Sequence, residues 1–213
     1  MSLFSTIIAA VSEGFDALRH PRMALYIEAL PRGLDSYPEC RIKAGLCREV
    51  VASFPRPPKR LPAALAELVG AMPPVSSWIS EVHHQAVIEA TVDEFYSSRE
   101  SYLDFAYECQ RRLFSARIYS PLLQLISPER LLRQAAKRWG NFHRGSTLEV
   151  LRGDKKSATI RVHHPGGLFS VTGLRSLAEG FRAAINASRA KQCDVLIVER
   201  EQAWTTYRLH WTV

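Results

Sequence analysis

The chain has 213 residues, and its segment 127–213 carries the pattern that most constrains the fold. Two runs in which apolar and polar residues alternate, Thr147–Arg152 and Ser157–His163, flank the polar segment 153–156. Gly153 and Asp154 favour a tight turn there. The two runs therefore predict an antiparallel β-hairpin with one face turned towards a core.

A helix and a second pair of strands follow the predicted hairpin. Apolar residues recur at helical spacing between Leu174 and Ile185, which predicts an amphipathic helix. The apolar run Asp194–Glu199 and the alternating run Trp204–Trp211 predict two further strands. Together with a helix before the hairpin, the order is α-β-β-α-β-β. This order predicts an α+β fold in which helices cover one face of a four-stranded, mainly antiparallel sheet.

The helix before the hairpin has one apolar face and one basic face. Ser127 is a favourable N-cap, Pro128 suits the first turn, and Glu129 complements the helix dipole. Basic residues lie on this helix, residues 128–140, and just beyond it: Arg130, Arg133, Lys137, Arg138 and Arg144. The net charge of the whole chain is +7. The positive electrostatic potential of such a helix face favours nucleic acid, acidic lipid or an acidic protein as a partner. The alternative is a solvated face, since no helix-turn-helix or RNA-platform motif accompanies it.

The first part of the chain, residues 1–126, predicts a layer of helices. The expected helices are Ser2–His20, Met23–Leu30, Glu39–Phe54, Ala63–Val69, a long one from Ser76 or Ser77 to about Ser97, and Tyr102–Phe114. The proline-rich connector at residues 55–58 is too short to separate two domains. We therefore expect residues 1–213 to form a single domain, in which this helical layer packs on the sheet of residues 127–213.

Composition and terminal sequence favour a cytoplasmic globular protein. The hydrophobic fraction of 46% and the charged fraction of 23% are ordinary for such proteins. No apolar run approaches the ~20 residues that span a bilayer. The first residues lack the basic segment and cleavage site of a secretory signal. The four cysteines are dispersed and form no C-x-x-C pair, which favours reduced thiols.

The sequence contains no recognised catalytic motif. Nucleophile-elbow and phosphate-loop patterns are absent. Glu81 and His84 form one E-x-x-H step, but a di-iron bundle requires two, so we predict no metal site. An enzyme with a dispersed active site stays open as an alternative. Its candidate residues are His143, Arg161, His163 and His164, and it requires that these side chains converge in a cleft.

Several segments resemble a bacterial protein family. Residues 127–145, the strand pairs that follow, the run Tyr119-Ser120-Pro121-Leu122-Leu123 and Trp211 near the end are similar to segments of an uncharacterised myxobacterial family of comparable length. The resemblance covers roughly residues 37–212. In layout, that family resembles vinyl-reductase-type sensor domains, the haem nitric-oxide-binding group and small vesicle-tethering subunits.

The resemblance implies a function by analogy of layout. It implies a hydrophobic ligand or haem held between helices and sheet, or dimerisation through helices. The Y-x-S-x-R signature of the haem group is not matched, because Tyr96-Ser97-Ser98-Arg99 lacks the spacer.

These observations predict a non-catalytic binding or regulatory module. Its partner would be a hydrophobic small molecule, a protein or a second copy of the chain; the sequence specifies no cofactor. An apolar pocket between helices and sheet is the expected small-molecule site. The candidate ligand-binding residues are Trp78, Val82, Tyr102, Tyr107, Tyr119 and Phe181. An enzyme, and a binder of nucleic acid or an anionic surface through the basic helix, are the alternatives.

Overall fold

The computed structural model describes residues 15–52, 54–115 and 124–212. In these ranges the α-helices are α1 (Pro21–Glu28), α2 (Ala44–Ala52), α3 (Ala63–Gly70), α4 (Glu81–Phe95), α5 (Arg99–Ser115), α6 (Pro128–Arg138) and α7 (Val171–Asn186). The strands are β1 (Arg41–Lys43), β2 (Trp78–Ser80), β3 (His143–Arg144), β4 (Thr147–Gly153), β5 (Ser157–His163), β6 (Gln192–Arg200) and β7 (Trp204–Thr212).

The C-terminal part confirms the predicted α-β-β-α-β-β order and the α+β class. The strands β4, β5, β7 and β6 lie side by side in that order, and every neighbouring pair is antiparallel. Ile160 lies opposite Tyr207 on the covered face, and both side chains are fully buried. Arg208, which follows Tyr207, points to the opposite face and is exposed. One face of the sheet is therefore core and the other is open.

Helices α6 and α7 cover the inner face of this sheet, and the N-terminal helices pack behind them. Helix α6 lies on β4, whereas α7 lies on β6 and β7 and also contacts α4 and α5. Gly173 allows α7 to approach α4 closely, because a Cβ at this position would overlap Gln85 Oε1. The two halves of the chain thus meet at the start of α7.

A small sheet, formed by two strands of the N-terminal half and by β3, corrects two predicted helices. Residues 41–43 and 78–80 form β1 and β2, although the sequence predicted helices across Glu39–Phe54 and from Ser76 or Ser77. Strand β1 is central and pairs with β2 on one side and β3 on the other. Each helix starts only after its strand, and Ser80, not Ser76 or Ser77, caps α4. Three-residue strands carry too little periodicity to be distinguished from the helices that follow.

The remaining helix boundaries lie close to their predicted positions. Helix α6 begins after the Ser127 cap, as predicted, and its last residues pass into a short 3-10 turn, Trp139–Asn141. Of the predicted helix Ser2–His20, residues 2–14 lie outside the described residues, and residues 17–19 form a turn. Among the described residues, none of the helices is both long and apolar enough to cross a bilayer.

Candidate anion-binding surface

The basic residues of α6 are exposed and carry no ion pair within the described chain. Arg130, Arg133, Lys137 and Arg138 are all solvent-exposed, and among residues 15–52, 54–115 and 124–212 no carboxylate lies within ion-pair distance of them. Other arginines are ion-paired: Arg19, Arg22, Arg56, Arg60, Arg111, Arg161, Arg175 and Arg182. The predicted basic face of α6 therefore exists, and its charges are available to a partner.

Trp78 lies between two cations on the outer face of the small sheet. The Lys43 ammonium is 4.1 Å from the centre of the Trp78 ring, and the Arg144 guanidinium is 4.0 Å from it. The register explains this geometry, because Lys43 pairs with Trp78 across β1 and β2 and Arg144 lies on the next strand. We call Lys43, Trp78 and Arg144 the Trp78 platform. Cations near an aromatic face are held by the ring quadrupole.

The Trp78 platform joins the basic face of α6 through a short turn. Arg144 follows Arg138 after the 3-10 turn Trp139–Asn141, and Phe142 in between is 51% exposed. The Lys43 N–H donates to the Phe142 carbonyl at 2.9 Å, which anchors this turn on β1. The Lys43 ammonium also donates to the Ser76 carbonyl at 2.6 Å. The fold thus adds Lys43 and two aromatic rings to the basic residues that the sequence identified.

A surface cavity of about 390 Å³ borders the Trp78 platform. Its lining residues come from the turn after α1, from β1 and from the start of α4: Arg32, Leu34, Asp35, Ser36, Pro38, Arg41, Ser80 and His83. Arg41 pairs with Ser80 on one side and with Arg144 on the other. We call this site the Arg41 cavity. Burial lowers the pKa of His83, although Asp35 and a hydrogen bond with the Leu34 backbone raise it.

The turn that forms one wall of the Arg41 cavity has an unusual backbone. Tyr37 has a φ of +52° directly before Pro38, a conformation that a residue with a side chain rarely adopts. The Tyr37 hydroxyl donates to the Gly166 carbonyl at 2.6 Å. A distant loop therefore holds this turn in place.

A buried polar cluster lies beneath the small sheet. Its members are Glu81, His84, Gln85, Glu89 and His143, all buried. His143 Nδ1 is 3.0 Å from Glu81 Oε2, and Gln85 donates to Glu81 Oε1 at 3.0 Å. Burial opposes ionisation of Glu81, but His143, His84 and Gln85 together keep the pKa of its carboxyl below the usual value.

The Glu81–His143 pair is enclosed and therefore poorly placed for catalysis. The His143 ring stacks on Trp139, with 4.3 Å between ring centres, and only 6% of the His143 side chain is exposed. His164 is also buried, 3.1 Å from Thr205 Oγ1. His163 and Arg161 instead lie on the open side of the large sheet, paired with Glu149 and Glu199. The four candidate groups of the dispersed-enzyme alternative do not converge.

The predicted hydrophobic-ligand residues are spread over the molecule. Val82, Tyr102 and Phe181 are core side chains, with Tyr102 in a separate cluster from the other two. Trp78 belongs to the platform. Tyr107 lines a second surface cavity, of about 300 Å³, and accepts a hydrogen bond from Asn186 at 3.0 Å. Tyr119, with the run up to Leu123, lies outside the described residues. A common ligand site for these residues stays a prediction.

The region between the helices and the large sheet is packed with side chains of the described residues. Core side chains, among them Trp139, Phe169 and Phe181, occupy the space between the helices and the large sheet. His143 in this region is already bonded to Glu81. Within the described ranges, no group of three or more histidine, cysteine, aspartate or glutamate side chains could hold a metal. The cysteines in these ranges form no disulfide bond with one another.

Comparisons with known proteins give a distant likeness of layout. No protein-family model and no curated protein sequence matches the chain. It is similar to a solved mutant structure of the T. Tengcongensis H-NOX, with 11% identity, 92% of this chain and 98% of that chain covered, and a TM-score of 0.40. A structure titled "Probing the function of heme distortion in the H-NOX family" has 9% identity, coverage of 92% and 95%, and a TM-score of 0.42.

A third solved structure has a similar identity, coverage and TM-score. A Cs H-NOX mutant that carries the unnatural amino acid 4-cyano-L-phenylalanine has 11% identity, coverage of 91% and 96%, and a TM-score of 0.40. These similarities agree with the layout resemblance to the haem nitric-oxide-binding group that the sequence suggested. At these TM-scores the likeness carries no argument about the fold or about a ligand.

Proposed function

We propose that this protein is a non-catalytic module that binds an anionic macromolecule through α6 and the Trp78 platform. One observation supports the proposal above all: Arg130, Arg133, Lys137 and Arg138 are exposed and have no ion-pair partner among the described residues. A basic surface of this kind attracts phosphate-bearing or otherwise acidic partners and releases their counterions on binding.

The Trp78 platform favours this proposal over a merely solvated face. If the basic face of α6 were merely solvated, there would be no reason for cations on the neighbouring strands to be held in fixed positions beside it. Here Lys43 and Arg144 are held on an indole ring, which limits their conformational freedom before a partner arrives. Half-exposed Phe142 adds an aromatic surface beside them. Basic and aromatic side chains together are typical of surfaces that bind single-stranded nucleic acid.

The experiment measures binding of the full chain to labelled single-stranded DNA and RNA and to vesicles with and without phosphatidylserine. We expect the affinity for one of these anions to fall steeply between about 50 and about 200 mM salt. The triple variant R130E/R133E/K137E should lower that affinity by about tenfold or more. For single-stranded nucleic acid it should also reduce the slope of log affinity against log salt by about two, roughly 0.7 for each lost contact.

A matched variant separates a specific surface from net charge. R189E/R200E/R208E makes the same change in net charge at exposed positions outside α6 and the platform. We expect it to retain most of the affinity. The proposal fails if no anion binds with a salt dependence, or if both triple variants lose affinity equally.

A further inference from the structure

We propose that the Arg41 cavity is a binding site for a small phosphate-bearing ligand. This goes beyond the proposed function, because the cavity would hold a small molecule whether or not α6 binds a macromolecule. The cavity has a volume of about 390 Å³, within the range of about 300 to 1,000 Å³ that is usual for small-molecule sites.

The charges that line the cavity favour an anion. Arg32 and Arg41 are both exposed, and neither forms an ion pair with a carboxylate in the described chain. Arg41 makes one long hydrogen bond, from Nε to the Pro38 carbonyl at 3.4 Å, so its terminal nitrogens are available. Asp35 is the single acidic side chain in the lining. Two guanidinium groups outweigh it, and guanidinium groups bind phosphate through paired hydrogen bonds.

Two serine residues contribute to the lining of the cavity. Ser36 Oγ accepts the Arg32 N–H at 2.9 Å, and Ser80 Oγ accepts the His83 N–H at 3.3 Å. Neither hydroxyl donates a hydrogen bond to another residue in the described part of the chain. Because a hydroxyl can accept and donate at once, the hydroxyl of half-buried Ser80 can donate to a ligand oxygen, whereas Ser36 is buried and supports the turn. Phosphate offers three strong acceptor oxygens, which suits this hydroxyl and two guanidinium groups.

The backbone around the cavity is fixed before a ligand binds. The αL conformation of Tyr37, its hydrogen bond with Gly166 and the following proline together hold the turn that carries Ser36. Ser80, which also lines the cavity, caps α4, so the positive end of the helix dipole lies beside the cavity. Strained residues held by distant contacts often occur at ligand sites, where they keep the site in its binding conformation.

The size and lining indicate a phosphate with an organic group attached. A single phosphate would leave most of the volume unfilled. Leu34 and Pro38 supply the apolar part of the lining, against which a sugar or ring can pack. A carboxylate ligand has less charge than a phosphate at neutral pH and gains less from Arg32 and Arg41 in the presence of Asp35. We therefore name a phosphomonoester as the ligand class.

The test titrates the full chain with ribose 5-phosphate and follows backbone amide signals by NMR. We expect shifts at Ser36, Ser80 and His83 that saturate, whereas ribose without phosphate causes none. Inorganic phosphate should shift the same amides with weaker affinity, and gluconate, a monocarboxylate, should bind more weakly than ribose 5-phosphate. No saturable shift with ribose 5-phosphate, or equal binding of ribose, would overturn the proposal.

Variants complete the test and distinguish this site from α6. R41Q and R32Q should each weaken ribose 5-phosphate binding about tenfold, D35N should strengthen it, and R208Q on the open sheet face should leave it unchanged. Because the substituted side chains lie at the surface, the variants are expected to fold, and an unchanged amide spectrum elsewhere checks this. R130E/R133E/K137E should retain ribose 5-phosphate binding, so loss in that variant alone contradicts the assignment to the Arg41 cavity.

Discussion

At the scale of single residues, buried histidines connect stability to pH. Burial lowers the pKa of His84, although Glu81 nearby raises it. Burial likewise lowers the pKa of His164, against a hydrogen bond with the Pro165 carbonyl. Both residues prefer the neutral form in the folded protein. In the unfolded chain, where their pKa returns to about 6.5, they bind protons more readily.

We expect the melting temperature to fall as the pH decreases below about 6.5. Because each histidine has a lower pKa in the folded state than in the unfolded chain, its contribution to stability is complete above the pKa of the unfolded chain. That contribution is lost as the pH falls through the pKa of the folded state. Calorimetry between about pH 7.5 and about pH 5 measures the effect. NMR titration of the ring protons should place the pKa of His84 and His164 below 6.5. A melting temperature that rises in this range would contradict the argument.

Single residues also show which features of the candidate site could be predicted from the sequence and which could not. The exposed cations of α6 follow from helical spacing alone, so Arg130, Arg133 and Lys137 could be predicted. The role of Trp78 could not, because its partners Lys43 and Arg144 are far away in sequence and meet only through strand register. The Arg41 cavity was missed for the same reason. A weak signal was present in the sequence, since Gly33 and Pro38 enclose a turn that carries serine and lies next to an arginine.

At the scale of elements, the helix caps explain why the boundaries of α6 and α7 follow the sequence. Ser127 Oγ accepts the Arg130 N–H at 3.4 Å, and Ser170 Oγ accepts the Gly173 N–H at 2.9 Å. Serine N-caps of this kind can be recognised in the sequence, because they depend on residues only three positions apart. β1 and β2 were misassigned because three residues are too few to show an alternating period, and Ile79 of β2 also fits the helical stripe of the segment that follows. Only the pairing within the small sheet decides between the two conformations.

The two caps should differ in their effect on stability. Ser170 is buried, and its hydroxyl also lies 3.3 Å from Gln85 Oε1 on α4. We expect Ser170→Ala to lower the free energy of unfolding by about 1 to 2 kcal/mol and Ser127→Ala by about 0.5 to 1 kcal/mol. Urea titration followed by circular dichroism measures both. Equal losses would mean that the contact with α4 contributes nothing.

At the scale of the whole molecule, hydrogen bonds connect the start of the chain with the loop before α7. The Tyr26 hydroxyl on α1 donates to the Leu168 carbonyl at 2.6 Å, and this bond is buried. The Tyr37 hydroxyl donates to the Gly166 carbonyl in the same loop. Contacts that join distant parts of the chain favour one cooperative unit, and the single domain expected from the sequence stays a prediction.

We therefore expect one unfolding transition for the full chain. Tryptophan fluorescence and far-ultraviolet circular dichroism should give coincident urea curves, because Trp139 and Trp211 are buried in the same main core. Tyr26→Phe should lower the free energy of unfolding by about 1 to 2 kcal/mol and leave the slope against urea unchanged. Two separate transitions would show that the helical layer and the sheet fold independently.

The position of Trp78 has a practical consequence for anyone who studies this molecule in solution. Indole emission is sensitive to nearby charge, and this ring lies about 4 Å from both an ammonium and a guanidinium group. An anion that draws either cation away changes the electric field at the ring. The fluorescence emission of Trp78 should therefore change when an anion binds at the Trp78 platform. The Trp78→Phe variant serves as the control, because it lacks this indole ring.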